Sequence, residues 1–410
     1  MRLFITLLLL TVLPCLASPR VELKGLAQWH WVEADASEPW LKSWMRRGTG
    51  QSRYDDTHGL ELGQAIVATK LDLGSGLSLK GVLNGVADQN HSINFSQLYG
   101  QYTPLISPNY QLRVRAGLFY PEMAFENVDT GWLSPYGTSF SAVNSWMAEE
   151  QRTVGVEARV SFGGRRARSP HSFSLTGALF KANDTLGTLL AWRGFAVHDR
   201  QSVLNETLGF ARYPSLGPGM PLEKQAAWVE PYREIDHRIG SYWGAEWDYR
   251  GQSKLRYFYY DNNGDPLVLG RGGQYAWDTR YHSLAWQYRF NGQWRWVAQG
   301  ISGNTLMGAD IVDVDFSAIY TTLAYKQDDH LTSLRLERFI TKDLDATPYD
   351  DNNGDGRAFT AYYRYQLSPQ WQLGLEYLWM DTYQANRQQW YNWSPNVTQR
   401  QWTASVTWRF

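Results

Sequence analysis

The stretch QWTASVTWRF (401–410) decides the fold. Trp402, Ala404, Val406, Trp408 and Phe410 fall on one face of an extended chain, and Gln401, Thr403, Ser405, Thr407 and Arg409 on the other. Successive strand side chains point to opposite sides, so one face is apolar and the other wet. About ten residues alternating this way, with aromatics toward the ends, is the pattern of a strand that crosses a membrane in a β-barrel. An edge strand of a soluble sandwich would alternate too. Upstream segments separate the two readings.

WQLGLEYLWM (371–380) sets Trp371, Leu373, Leu375, Tyr377 and Trp379 against Gln372, Gly374 and Glu376. FTAYYRYQL (359–367), SLAWQYRF (283–290), YQLRVRAGLF (110–119) and RTVGVEARVSF (152–162) repeat the pattern, with the charges on the face opposite the apolar residues. A sandwich core would gather large aromatics mid-strand. Here they favour strand ends, where a girdle at the lipid headgroups would lie.

Two kinds of connection alternate between the strands. Tight ones carry turn residues: GSG at 74–76, RGQ at 250–252, NG at 291–292, QDDH at 327–330 and SPQ at 368–370. The others are long and polar, covering 33–59, 120–151, 184–239, 262–275, 341–357 and 382–399. Short periplasmic turns and long extracellular loops are the layout of an outer-membrane barrel. The expected fold is therefore all-β: a transmembrane antiparallel β-barrel of about 16 strands. Residues 184–239 contain GTLLAWRGFAV, which also reads as strand and would lead to a count of about 18.

Residues 1–18 read as a secretory signal peptide, with Arg2, a short apolar core and small residues before the cleavage point. Residues 19–410 then form a single barrel domain. Cys15 is the only cysteine, so the remainder offers no disulfide and no thiolate metal site. Pro14 before it argues against a lipidated cysteine. The formal net charge of −1 carries no footprint of a nucleic-acid partner. Mean hydropathy is −0.46, and no later apolar run approaches the ~20 residues of a transmembrane helix. The 20 Trp and 25 Tyr exceed what a soluble domain readily buries.

A barrel of this size is wide enough for an aqueous lumen. The expected partners are outer-membrane lipid and lipopolysaccharide outside, and small solutes or ions within. Selectivity would come from inward charges and from any loop in the bore. Alternation turns Arg113, Arg115, Arg159, Arg289, Arg295 and Arg364 inward as pore-lining cations, with Lys24, Lys70, Arg256, Arg335 and Arg409 on the same face. Inward acids are fewer: Glu22, Asp72, Glu157, Glu246, Glu337 and Glu376. The connection 120–151 carries Glu122, Glu126, Asp129, Glu149 and Glu150, with Trp132, Tyr136 and Trp146 among them. Following the fifth strand, it is expected to fold into the bore as a constriction loop, its acids facing the basic wall. An external cap packed by its own aromatics is the alternative.

Two acidic stretches, YYDNNGDPL (259–267) and YDDNNGDGRAF (349–359), resemble the opening of a calcium loop. An EF-hand needs a bidentate glutamate at its twelfth position, and the two copies offer Gly272 and Tyr362. Turn chemistry explains both, with divalent-ion binding at Asp261–Asp265 and Asp351–Asp355 left as the other reading. No metal site or cofactor is expected. Nor is a catalytic residue, because the histidines are scattered and no nucleophile elbow or H-E-x-x-H occurs; His198-Asp199 with Asp236-His237 is the one conceivable loop cluster. A sugar channel stacking pyranoses on Trp40, Trp44, Trp132 and Trp146, an anion-selective channel, and a non-conducting receptor or adhesin stay open as alternatives.

GLFYPEMAFEN (117–127) and GWLSPYGTSFSAVNSW (131–146), with the leader, the alternating strands and the terminal Phe410, resemble Gram-negative outer-membrane porins. Within them the likeness is loosest to the phosphate-selective porin O and P group and to porin-like proteins of proteobacteria. The resemblance implies a water-filled diffusion channel for small hydrophilic solutes or ions, and a homotrimer. Phosphate selectivity would need a basic ladder through the bore, which the acids of 120–151 oppose.

Overall fold

The computed structural model describes residues 19–38, 42–54, 57–86 and 93–410; the leader, with Cys15, lies outside them. Sixteen strands form one closed antiparallel barrel. The first eight are β1 (Arg20–Ala36), β2 (His58–Gly74), β3 (Leu77–Gly85), β4 (Ile93–Tyr102), β5 (Tyr110–Phe119), β6 (Thr153–Phe162), β7 (His171–Lys181) and β8 (Gly240–Tyr249). The second eight are β9 (Ser253–Asp261), β10 (Asp278–Arg289), β11 (Trp294–Met307), β12 (Val312–Gln327), β13 (His330–Asp343), β14 (Gly354–Gln366), β15 (Trp371–Gln384) and β16 (Asn396–Arg409). Each pairs with its neighbour in sequence. The seam closes where β1 meets β16, from Leu26↔Arg409 to Ala36↔Gln399. A bilayer offers no water to an unpaired peptide group, so this last ladder is obligatory.

Alternation becomes two surfaces. On β15 and β16, Leu373, Leu375, Trp402, Val406, Trp408 and Phe410 point outward and are exposed, while Glu376, Leu378, Met380, Thr403 and Ser405 point inward and are buried. The β2–β3 turn needs two left-handed residues, supplied by Ser75 (φ 52°) and Gly76 (φ 82°). That geometry matches the twist of a tight hairpin. The β11–β12 link, on the side of the long loops, is only residues 308–311.

The alternative reading of GTLLAWRGFAV as a further strand is corrected. Its centre forms a short helix, α1 (Thr188–Arg193), started at Gly187 (φ 107°) and ended at Gly194 (φ 74°). Leu189, Leu190, Ala191 and Trp192 are all buried, so the helix is apolar all round and needs an interior on every side. Leu189, Ala191 and Trp192 find it among Leu208, Phe210, Tyr213, Trp277 and Trp390, and Leu190 in the barrel interior. Phe195 and Val197 pack with Tyr242, Tyr260, Tyr281, Phe316, Tyr320 and Phe339 from the inner wall. Val143, Trp146 and Met147, from the loop after β5, complete the same cluster. The main hydrophobic core of this molecule thus lies inside its barrel.

Leu375, outward and midway between the outward Trp371 and Trp379, tests the lipid face. Leu375→Arg is expected to reduce folding stability in phospholipid vesicles by about 2–4 kcal/mol, and Leu367→Arg at the rim by at most about 1 kcal/mol. Urea titration of the vesicle-inserted protein measures both.

Candidate functional site

The inner wall sets like charges face to face. Arg113 of β5 lies opposite Arg159 of β6, and Arg115 opposite Glu157. Directly paired like charges repel across a ladder. Glu122, just beyond β5, relieves this: its two oxygens accept from Arg113 Nη1 and Nη2, each at 2.9 Å. Arg115 and Arg159 approach the same carboxylate at 3.5 and 3.6 Å. Arg256 of β9 donates to the carbonyls of Glu122 (2.7 Å) and Ala124 (2.9 Å), fixing the loop's entry to this wall.

The same loop then reaches the opposite wall. Arg335 of β13, buried, bonds Glu126 (3.2 Å), Glu337 (2.7 Å) and the carbonyls of Ser139 (2.9 Å) and Phe140 (3.0 Å). Glu376 of β15 accepts from the backbone N–H of Thr138 at 2.7 Å. Residues 142–150 form the helix α2 (Ala142–Glu150), capped by Ser141. Glu337 accepts from Ala142 N (2.6 Å), where a helix start favours an anion. Asn144 donates to Gln299 of β11 (3.1 Å), and Asp129 pairs with Arg409 of β16 (2.7 Å). Residues 120–152 therefore cross the bore from the β5–β6 wall to the wall made by β11, β13, β15 and β16.

Not every acid of this loop meets a wall arginine. Glu149 pairs with Arg193 (2.8 Å) and His198 (3.3 Å) and accepts from Trp44 Nε1 (2.8 Å). Glu150 accepts from Trp146 Nε1 (2.8 Å) and from the N–H of Leu189 (2.8 Å). Both carboxylates end α2, where the helix dipole disfavours them. They join the loop to residues 182–239, of which Leu186, Leu190, Phe195 and Val197 also enter the barrel. That second inward loop was hidden in the sequence, whose only trace of it was the apolar run at 188–197.

The six predicted cations also divide. Arg113, Arg115 and Arg159 lie in the acid-paired cluster. Arg289, Arg295 and Arg364 instead line a cavity of about 300 Å³ near the short turns, with Arg295 donating to the Tyr136 hydroxyl (2.8 Å). The rings proposed for sugar stacking are otherwise engaged. Trp44 and Trp146 are fully buried, and Trp132 stacks on Tyr120 at 3.9 Å; Trp40 lies outside the described residues.

His198 and Asp199 are buried near Glu149 and Arg53, apart from Asp236, which with Asp184 and Glu234 forms a separate acidic group. The acidic loops serve their own turns. Asp261 accepts from Asn263 N (2.7 Å), Asp351 from Asn353 N (3.0 Å), and Asn262 bonds Thr279 N and Trp277 O.

A closed barrel of sixteen strands, apolar outside and charged within, with a loop after the fifth strand crossing the bore, is the fold of outer-membrane porins. Solved structures that the chain resembles agree. The outer membrane channel DcaP of Acinetobacter baumannii aligns with a TM-score of 0.56 at 9% identity, over 96% of this chain and 97% of that one. An anion-selective porin from Comamonas acidovorans aligns at 0.52 and 13% identity, over 96% and 100%. Salmonella typhi OmpF, solved with daunomycin, aligns at 0.51 and 11% identity, over 95% and 97%. No family model and no curated protein sequence matches the chain.

Two predictions follow from the loop contacts. Arg335→Ala strands Glu126 and Glu337 in the interior, a loss of about 3–5 kcal/mol for a buried pair. Limited proteolysis of the folded barrel should then cut within 120–152, where the unaltered protein resists. The second concerns Asp350, in the extracellular connection 344–353. It is buried against Trp192 and Ser215, and burial, with Asp345 and Asp343 nearby, pushes it up to about 7. A raised carboxyl stabilises the fold fully below its ordinary range, and that contribution is lost as pH rises through about 7. Asp350→Asn should therefore raise the melting temperature relative to the unaltered protein at pH 8, and much less at pH 4.

Proposed function

We propose that this protein is an outer-membrane channel for small hydrophilic solutes or ions, with its passage set by residues 120–152. The observation that carries the reading is the loop's anchoring to both walls of a closed barrel, by Glu122 on one side and by Arg335 and Glu376 on the other. A pore crossed by such a loop is governed by the charges at its wall. The solved structures it resembles include an outer membrane channel and an anion-selective porin, which supports the same class. The hydrophobic packing of Phe195, Val197 and Trp146 inside the barrel favours a restricted, substrate-selective passage over a wide general pore.

Reconstitution in planar bilayers tests this. The protein should conduct in discrete steps. Glu122→Gln leaves Arg113, Arg115 and Arg159 without their shared counter-charge, so the anion-to-cation permeability ratio should rise. The rise should shrink between 0.1 and 1 M salt, where the screening length falls from about 10 to about 3 Å. Asp381→Asn, on the outer face beside Arg357, should leave the ratio unchanged. A correctly inserted but silent protein would favour the receptor or adhesin reading.

A further inference from the structure

The inner wall carries a second group of cations that no acid among the described residues neutralises. Arg289 of β10 lies directly opposite Arg295 of β11, Arg295 opposite Ala324 of β12, and Leu331 of β13 opposite both Lys326 and Arg364. Arg289, Arg295, Lys326 and Arg364 line one cavity of about 300 Å³, with the turn residues Asn291–Gln293 beside it and Pro135 and Tyr136 of the inward loop against it. No carboxylate of the described residues is among those lining this cavity. Among the described residues, none of the four cations forms an ion pair, and the buried Nε of Arg364 has no hydrogen-bond partner.

The acids that could have served are committed elsewhere. Glu376 accepts the N–H groups of Thr138 and Ser139, and Asp129 is held by Arg409. Asp328 and Asp329, in the next turn, are exposed and do not line the cavity.

On the β5–β6 wall, the same face-to-face arrangement of arginines is satisfied by Glu122. Here the described residues supply no equivalent. Four cations around one cavity, Arg289 and Lys326 exposed and Arg295 and Arg364 half-buried, include three guanidinium forks whose N–H groups match the oxygens of a small anion. The volume suits a compact oxyanion and not a folded peptide or a nucleotide polymer.

We infer that the periplasmic mouth of the barrel holds a binding site for small oxyanions, phosphate or carboxylate, made by Arg289, Arg295, Lys326 and Arg364. Its role in transport rests on the channel reading; the binding itself does not. An anion that passes the inward loop would find its next counter-charges here, and an anion held here would repel further anions entering from the periplasm.

The test is isothermal titration of the full chain, purified in a zwitterionic detergent, with sodium phosphate and separately with sodium malonate. Saturable binding of phosphate alone, or of both, supports the site and tells phosphoryl from carboxylate preference. The affinity should weaken as ionic strength rises. Replacing Arg289, Arg295 and Arg364 together by alanine should weaken it at least about tenfold, since each removes a charged hydrogen bond. The triple lysine variant should retain binding while keeping the charge, and the heat-shift of both variants on SDS gels verifies that they fold. Absence of saturable binding in the unaltered protein, or equal binding by the folded alanine variant, overturns the inference. In bilayers, phosphate added on the periplasmic side should block chloride current at lower concentration than phosphate added outside. A barrel that binds phosphate in detergent but never conducts leaves this site standing and removes the channel reading.

Discussion

Peptide groups cannot remain unpaired in hydrocarbon, and the rest of the structure follows from that requirement. It forces the β1–β16 seam, from Leu26↔Arg409 to Ala36↔Gln399. Closure then fixes which side of every strand meets lipid, because a slip of one residue would turn each side chain over. All wall charges are thereby gathered into one confined space, some opposite a like charge. Arg113 faces Arg159, and Arg289 faces Arg295. The interior is shaped by how these confrontations are resolved. In the first case Glu122 is brought in by the loop after β5; in the second no acid among the described residues arrives.

The seating of the inward loop combines directional and non-directional forces. Arg335 holds the loop's carbonyls and Glu126 in one geometry, while Trp146, Met147 and Val143 bury apolar surface against the wall. Arg152 links the two inward loops. Its guanidinium bonds the carbonyls of Met147 and Ala148 in one loop and Ser202 in the other, and lies 3.3 Å from the Tyr120 ring centroid. Movement of either loop therefore breaks contacts of both. Buried ion pairs of this kind add less stability than their Coulomb attraction suggests, since desolvation opposes it. Their service here is to select one position for the loop.

Much of the barrel was legible from residues 401–410 outward, because lipid on one side and a lumen on the other impose strict alternation. Arg113, Arg115, Arg159, Arg335 and Glu376 could be assigned inward by counting alone. The acids of the inward loop were legible as a group, but their partners were not. Glu126 meets Arg335 across 209 positions, and no local pattern encodes that distance. Glu149 and Glu150 were placed against the wall by sequence, whereas they close on Arg193 and the start of α1. The helix at 188–193 was missed for a physical reason. A short apolar run flanked by glycines lacks the length that distinguishes a buried helix from a strand.

The most direct measurement asks whether residues 120–152 lie across the bore. The only native cysteine is Cys15, so cysteines placed at Asn144 and Gln299, whose side chains touch at 3.1 Å, report on each other cleanly. A short bis-methanethiosulfonate reagent applied to intact outer membranes should join them and leave neither open to a bulky impermeant maleimide. Failure to cross-link, with ready labelling of position 144 from outside, would mean that the loop is an external cap and that this account of the bore is wrong.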